Sequence, residues 1–362
     1  MKKLIKTIGL TLLIMTGQTI YGQTNEERAF AKAQQAVELT HSGRFNESIE
    51  LLKEAQRLDP ERLDWTYELA LVYHFKGNHE VAIEILRRYL DHKDVTYRFF
   101  QIIGVSYDIL EEPENALKYI NLGLERFPNS GLLYLTRGIV YEGMDKFNEA
   151  LFSYERGIQV DPAFSSNYFR ASLIFLELTT EKVWGMIYGE IFMNLERNTQ
   201  RTEKMSRLLF DTYKNRINFI DDNSISVRFS RSPFLGNLLN QDEPRLPFEM
   251  IYELTLTMSV ISALPEREIN LNTLNRIRTS FVENYFRMGH NKTHPNVLFD
   301  YHQKIKEAGH FEAYNFWILM QGNYYEFDEW YLENEEKFEN FVEWFLENPL
   351  QIDETNKFFR GQ

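Results

Sequence analysis

The stretch GMDKFNEALFSYERGIQVDP, Gly143 to Pro162, decides the fold. Small residues, aromatics and a closing proline fall in it at spacings that recur upstream. With Pro162 at the thirty-second place of a 34-residue frame, the frame starts at Gly131, and steps of the same length reach Tyr97, Leu63 and Ala29 without an insertion. The eighth place then holds Ala36, Ala70, Gly104 and Gly138, and the twentieth Ser48, Ala82, Ala116 and Ala150. Bulky residues hold the eleventh (Leu39, Tyr73, Tyr107, Tyr141) and the twenty-fourth (Leu52, Leu86, Ile120, Tyr154). Pro60, Pro128 and Pro162 share the thirty-second, where the second copy has Asp94 instead.

Two antiparallel helices that cross closely produce such a pattern. Only Gly, Ala or Ser leaves room where backbones approach, and large side chains one turn away fill the space toward the neighbouring hairpin. Proline cannot donate to a continuing helix, so it ends one hairpin or opens the next. HSGRF, KGNH, EEPE and GMDKF supply the turns. One hairpin cannot hide both of its apolar faces, so successive copies stack.

Over Ala29 to Pro162 the sequence resembles the tetratricopeptide repeat, in four in-register copies starting at 29, 63, 97 and 131. A degenerate fifth copy starts at Ser165, with Tyr168, Ser172 and Phe175 fitting its first helix. Trp184 stands there where a small residue belongs, which predicts a wider crossing. The array is expected over 23–196, with no 34-residue frame beyond Glu196 and a helical module over 197–362. The resemblance implies an all-α solenoid of helix-turn-helix hairpins. It also implies a groove lined by the second, fifth, ninth and twelfth places, here Tyr67, Leu71, His74, Leu132, Leu135, Ile139, Phe169 and Leu173. Members that clamp a C-terminal carboxylate present Lys, Arg and Asn at these places. Here the ninth reads Val37, Leu71, Val105, Ile139 and Leu173, so an apolar helix or extended segment of a protein or peptide partner is the expected occupant, unless the C-terminal half fills the groove itself.

The 362 residues contain no cysteine, which excludes disulfides, thiol nucleophiles, thiolate metal sites and a lipidated N-terminal cysteine. The chain opens MKKLIKTIGLTLLIMTGQTIYGQ, a basic start, a short apolar run and a polar stretch ending in Gly22. That layout predicts a secretory signal over 1–22 with cleavage after Gly22, a periplasmic or secreted location and no membrane insertion after cleavage. The net charge of −13 becomes more negative once Lys2, Lys3 and Lys6 leave. Nucleic acid and anionic lipid require clustered Lys and Arg, and are not expected partners.

Beyond residue 196 helical periodicity continues through RTEKMSRLLFDTYKNRI and NTLNRIRTSFVENYF, with breaks before Phe248, Leu271 and Asn296. INFIDDNSISVRFS alternates Ile217 and Phe219, turns at Asp221 to Ser224, and alternates again through Ile225, Val227 and Phe229, which predicts a small β-hairpin. Trp330, Phe338, Phe341 and Phe345 fall near one face of a closing, acidic helix. Four of the eight histidines, His290, His294, His302 and His310, share one segment, but Pro295 divides them and their spacing does not converge on a metal. HEVAI at His79 lacks the second histidine of a zinc motif, and no phosphate loop, serine elbow or calcium loop is present. The sequence therefore predicts no catalytic residue, metal or cofactor, and a scaffold or adaptor rather than an enzyme. The alternative is an enzyme or glycan-binding protein with its site in the C-terminal module.

Overall fold

The computed structural model describes residues 24–221, 224–231 and 246–361. The expected leader and its cleavage site lie outside them. The described chain divides into two compact units, one ending at Val95 and one starting at Thr96.

The first unit holds α1 (Asn25–His41), α2 (Phe45–Leu58), α3 (Leu63–Phe75) and α4 (His79–Arg87). A capping box between Thr24 and Glu27 starts α1. In the second unit, α5 (Tyr97–Ile109) and α6 (Pro113–Arg126) form the third copy, and α7 (Gly131–Gly143) and α8 (Phe147–Val160) the fourth. Each copy is a helical hairpin, as the frame requires.

All four hairpins turn the same way. The fifteenth place of the frame has positive φ in every copy, at Gly43, Gly77, Glu111 and Asp145. The next residue's N–H reaches the eleventh place's carbonyl: Arg44 to Leu39 at 2.8 Å, and Asn78 to Tyr73, Glu112 to Tyr107 and Lys146 to Tyr141 at 2.9 Å. This is the Schellman closure, whose left-handed position suits glycine because it lacks a Cβ.

The small residues stand where the helices cross. Ala36, Ala70, Ala82, Ala116 and Ala150 are fully buried. A Cβ on Gly104 would lie 2.5 Å from Ile120, and one on Gly138 only 2.2 Å from Tyr154. The bulky twenty-fourth residue thus packs onto the glycine of its own hairpin rather than reaching for the neighbouring one. Nesting between successive hairpins uses the twenty-seventh place, which the frame reading passed over. There a Cβ on Gly123 would meet Phe100 at 2.7 Å and Leu133 of the next copy at 3.0 Å, and one on Gly157 would meet Asn167 at 2.3 Å. The second copy carries Tyr89 at this place, its α4 stops at Arg87, and its unit closes at Val95.

The fifth hairpin, α9 (Ser165–Leu178) and α10 (Lys182–Leu195), corrects the expectation of a wide crossing. The Ser172 hydroxyl donates to the Gly185 carbonyl at 2.7 Å, and a Cβ on Gly189 would sit 2.8 Å from Ser172 Oγ. The close approach is kept by Gly185, one residue past the twentieth place, and by Gly189 at the twenty-fifth. Trp184 is thereby turned away from the crossing and stacks on Phe358 and packs against Phe248.

The frame also runs one helix further than the sequence suggests. In α11 (Gln200–Arg216), Thr199 is the N-cap, one period after Ser165, and Ser206 falls at the eighth place, 1 % exposed. The residues described directly after it form no second helix. Instead β1 (Ile217–Asp221) and β2 (Ser224–Val227) pair antiparallel, Ile217 opposite Val227 and Phe219 opposite Ile225, as expected from the alternation. The side of α11 left open is filled from far along the chain: a Cβ on Gly322 would overlap Phe210, and the Gln321 N–H donates to Ser206 Oγ.

The remaining helices are α12 (Phe248–Val260), α13 (Leu271–Arg287), the short α14 (His290–Thr293), α15 (Val297–Glu307), α16 (Phe311–Leu319) and α17 (Tyr324–Glu347). Apart from the short α14, they share one hydrophobic core with α8 to α11, so the change of pattern at residue 196 does not interrupt packing. The C-terminal tail returns to α8, where Arg360 grips Glu155 through two bonds of 2.9 and 2.8 Å. Among the described residues no helix is long and apolar enough to cross a membrane.

Two substitutions test this packing. Gly138→Ala should lower stability by about 1–3 kcal/mol through overpacking against Tyr154. Gly143→Ala, with nothing within 4 Å of its added Cβ, should leave the urea midpoint unchanged or raise it. A third substitution tests the turn: Glu111→Gly should raise stability by about 1 kcal/mol, because the left-handed position no longer carries a Cβ.

Candidate functional site

The places expected to line a groove belong to the first helix of each hairpin. In the first unit Tyr67, Leu71 and His74 are half-buried on α3, and in the second Leu132, Leu135 and Ile139 are half-buried on α7 and Leu173 on α9. His74 leans on His79, ring nitrogens 3.3 Å apart, and burial together with that neighbour lowers its pKa. Phe169 departs from the set. It is 8 % exposed, with the Arg201 guanidinium 5.1 Å over its ring and Phe192 packed beside it. Leu135 and Leu173 rest on the edge of the large core. The ninth place stays accessible throughout: Val37 is 37 % exposed, and Leu71, Val105, Ile139 and Leu173 are half-buried, while their eighth-place neighbours are fully covered. Each of these first helices leaves its ninth-place aliphatic side chain at least partly exposed.

A second constellation lies in the interior of the second unit. From Lys182 to Asn194 every residue of α10 is buried, so Glu190 is a carboxylate in a helix that is apolar on nearly all sides. It is paired with Arg278 of α13 through both guanidinium arms, one at 3.0 Å. The Tyr314 hydroxyl donates to it at 2.8 Å and His302 Nε2 lies at the same distance. Arg278 also donates to Asn315 Oδ1 at 2.7 Å and to the Tyr213 hydroxyl at 3.1 Å, while Asn194 donates to Tyr314. Burial by itself would raise the Glu190 pKa, but Arg278 and then His302 overrule it and hold the carboxyl below the usual carboxylate range. Burial dominates at His302, whose pKa is lowered despite Glu190, so the neutral imidazole donates from Nε2. Burial also lifts the Tyr314 and Tyr252 hydroxyls well above their ordinary value.

The groups resemble an acid–base set, but a cavity of only about 20 Å³ adjoins them, room for one water. Their effect is to tie α10, α11, α13, α15 and α16 together with each charged group satisfied. The sequence reading did not single out Glu190, Arg278 or Tyr314. The signal was available in KVWGMIYGEIFMNL, where a carboxylate inside a helix without a polar face requires a buried partner.

The four clustered histidines scatter. His302 serves Glu190, His294 Nε2 lies 2.9 Å from the Leu246 carbonyl, His290 packs on Tyr285 and His310 on Trp344. Among the described residues no three potential metal ligands gather.

The tetratricopeptide repeat model matches residues 67–91 and 133–164, within the second and fourth copies of the frame. Both stretches are tetratricopeptide repeats. Solved structures with such repeats are similar over about half of this chain. One is PilF of Pseudomonas aeruginosa, at 19 % identity and TM-score 0.43, covering 53 % of this chain and 87 % of its own. A second is the thermophilic protein TTC0263 of Thermus thermophilus, at 15 % identity and TM-score 0.43, covering 50 % and 98 %. A third is MamA, at 20 % identity and TM-score 0.37, covering 44 % and 93 %. Among curated proteins none matches in sequence.

Two outcomes follow for the interior network. Arg278→Met strands a buried carboxylate and should cost about 3–5 kcal/mol, part of which returns in the double variant with Glu190→Leu. Protons also weaken the fold. An unfolded histidine charges near 6.5 while His302 stays neutral below that, and an unfolded glutamate protonates near 4.5 while Glu190 stays ionised below that. In both cases the unfolded chain binds more protons, so stability falls as pH drops, first below 6.5 and further below 4.5. Urea unfolding between about pH 8 and pH 5 should show a shallower loss for His302→Gln than for the parent chain.

Proposed function

We propose that this protein is an exported scaffold that holds a protein or peptide partner on the first-helix faces of its tetratricopeptide repeats. The observation that carries this reading is the ninth place of the frame. Five consecutive copies put Val37, Leu71, Val105, Ile139 and Leu173 there, and none of the five is buried by the fold. Within each unit, aliphatic side chains kept accessible on successive first helices suit the apolar stripe of a helix or an extended segment, and lone surface residues would not repeat in this way. Tetratricopeptide repeats commonly mediate protein–protein interactions, which supports the same reading. The N-terminal MKKLIKTIGLTLLIM stretch, read as a signal, puts the meeting with the partner in the periplasm or outside the cell.

The test is affinity capture from cell-envelope extract with the mature chain and with a Leu71→Glu, Ile139→Glu variant. Proteins retained by the parent chain should be lost from the variant, while its circular dichroism and melting stay within a few degrees of the parent. Equal retention by both chains would refute the first-helix faces as the binding surface, and an unfolded variant would show those leucine and isoleucine positions to be structural.

A further inference from the structure

The closing helix is not one rod. Within α17, Asn334 leaves helical geometry at φ −131° and ψ 27°, and its side-chain amide donates to the Trp330 carbonyl at 2.9 Å. In a straight helix Phe327 and Phe338 would stand about 16 Å apart along the axis. Their ring centroids are 5.6 Å apart, and Tyr331 and Phe338 lie at 5.5 Å. The break folds the two halves of α17 against each other, which corrects the expectation of one aromatic face. Trp330 turns inward, stacked on Phe316 at 4.2 Å with its indole N–H on Glu312. The other rings line a hollow of about 490 Å³ together with Trp317 and Met320, and Tyr324 and Leu346, also on its lining, are 58 % and 64 % exposed.

One cation enters this aromatic space. Arg197, in the loop between α10 and α11, lines the hollow with its guanidinium carbon 3.8 Å from the centre of the Phe345 ring. Its neighbour Asn198 has φ +55°, a left-handed bend that occurs in the same loop. Among the described residues Arg197 makes no hydrogen bond or ion pair, and burial lowers its pKa. A ring under a guanidinium offers cation–π attraction but accepts none of its five N–H donors. The size of the hollow is that of a small-ligand site, and its chemistry is that of one too: apolar walls with few charged groups, Arg197 as the cation and Asp328 as the anion.

We propose that this hollow binds an aromatic carboxylate, the ring enclosed by the walls of α17 and the carboxylate held by Arg197. A planar carboxylate matches the guanidinium fork through two parallel bonds. Asp328 on the same wall and the glutamates along α17 disfavour ligands of higher negative charge, which sets doubly charged phosphate monoesters aside. Two sources present this chemistry: a free aromatic acid, and the C-terminus of a peptide that ends in an aromatic residue.

Isothermal titration of the mature chain with N-acetyltryptophan, its amide, and a ten-residue peptide ending in a free tryptophan carboxylate tests the site. The acid should bind about tenfold more tightly than the amide. Arg197→Gln should bring the acid down to the affinity of the amide, and Phe338→Ala should weaken both. Tighter binding of the peptide than of the free acid assigns the site to peptide C-termini, and the reverse assigns it to free acids. Equal affinities of acid and amide for the parent chain, absence of heat with every probe, or an Arg197→Gln chain that binds the acid as the parent does would each overturn the proposal. Should Arg197→Gln fail to fold, Arg197→Lys, which keeps the charge without the fork, must still reduce the preference for the acid.

Discussion

The fold depends on how closely two helical backbones approach within a hairpin. At Gly138 the distance is such that a single methyl group would enter the ring of Tyr154, and at Gly104 it would enter Ile120. Packing this tight fixes the crossing of the pair, and the common left-handed turn at Gly43, Gly77, Glu111 and Asp145 fixes its connection. A constant crossing and a constant turn give each copy the same exposed first-helix face. The accessible ninth place is therefore a product of the packing geometry.

Where the constraint changes, the architecture changes. Tyr89 takes the twenty-seventh place that Ala55, Gly123 and Gly157 keep small, and the first compact unit ends six residues later. In the fifth hairpin the small twentieth place slips by one residue to Gly185, and Gly189 adds a second gap one turn on. The crossing survives, and Trp184 is released to join Phe248 and Phe358 in the core of the C-terminal helices. The buried Glu190–Arg278 pair then holds those helices to the last hairpin. Such a pair adds little net stability over an apolar equivalent, but it penalises any arrangement in which one partner is left alone, and so it selects one packing of five helices.

Much of the repeat array could be read from the chain because its determinants are local and periodic. Small residues at the eighth and twentieth places, prolines at the thirty-second and turn residues between them are visible at fixed spacing. The hairpin at Ile217 to Val227 was legible for the same reason, through its period of two. The interior network was not, since Glu190, Arg278, His302 and Tyr314 are far apart in sequence and no period links them. Phe169 misled the groove reading because Arg201, nearly a full repeat further on, covers it from a helix whose place in the frame was disguised by the hairpin that follows. The aromatic hollow escaped for another reason: Trp330 and Phe338 fit one face of an unbroken helix, and nothing in YLENEEKF marks Asn334 as a break.

The sequence by itself determined that helices pair, at what interval they cross and which faces they leave free, because backbone approach is limited by the size of one side chain at one position. Only the tertiary structure decided which charged groups meet, that α17 doubles back at Asn334, and that Arg197 reaches an aromatic enclosure. Those outcomes depend on segments brought together from distant parts of the chain, where desolvation rewards complementary groups whatever their separation in sequence.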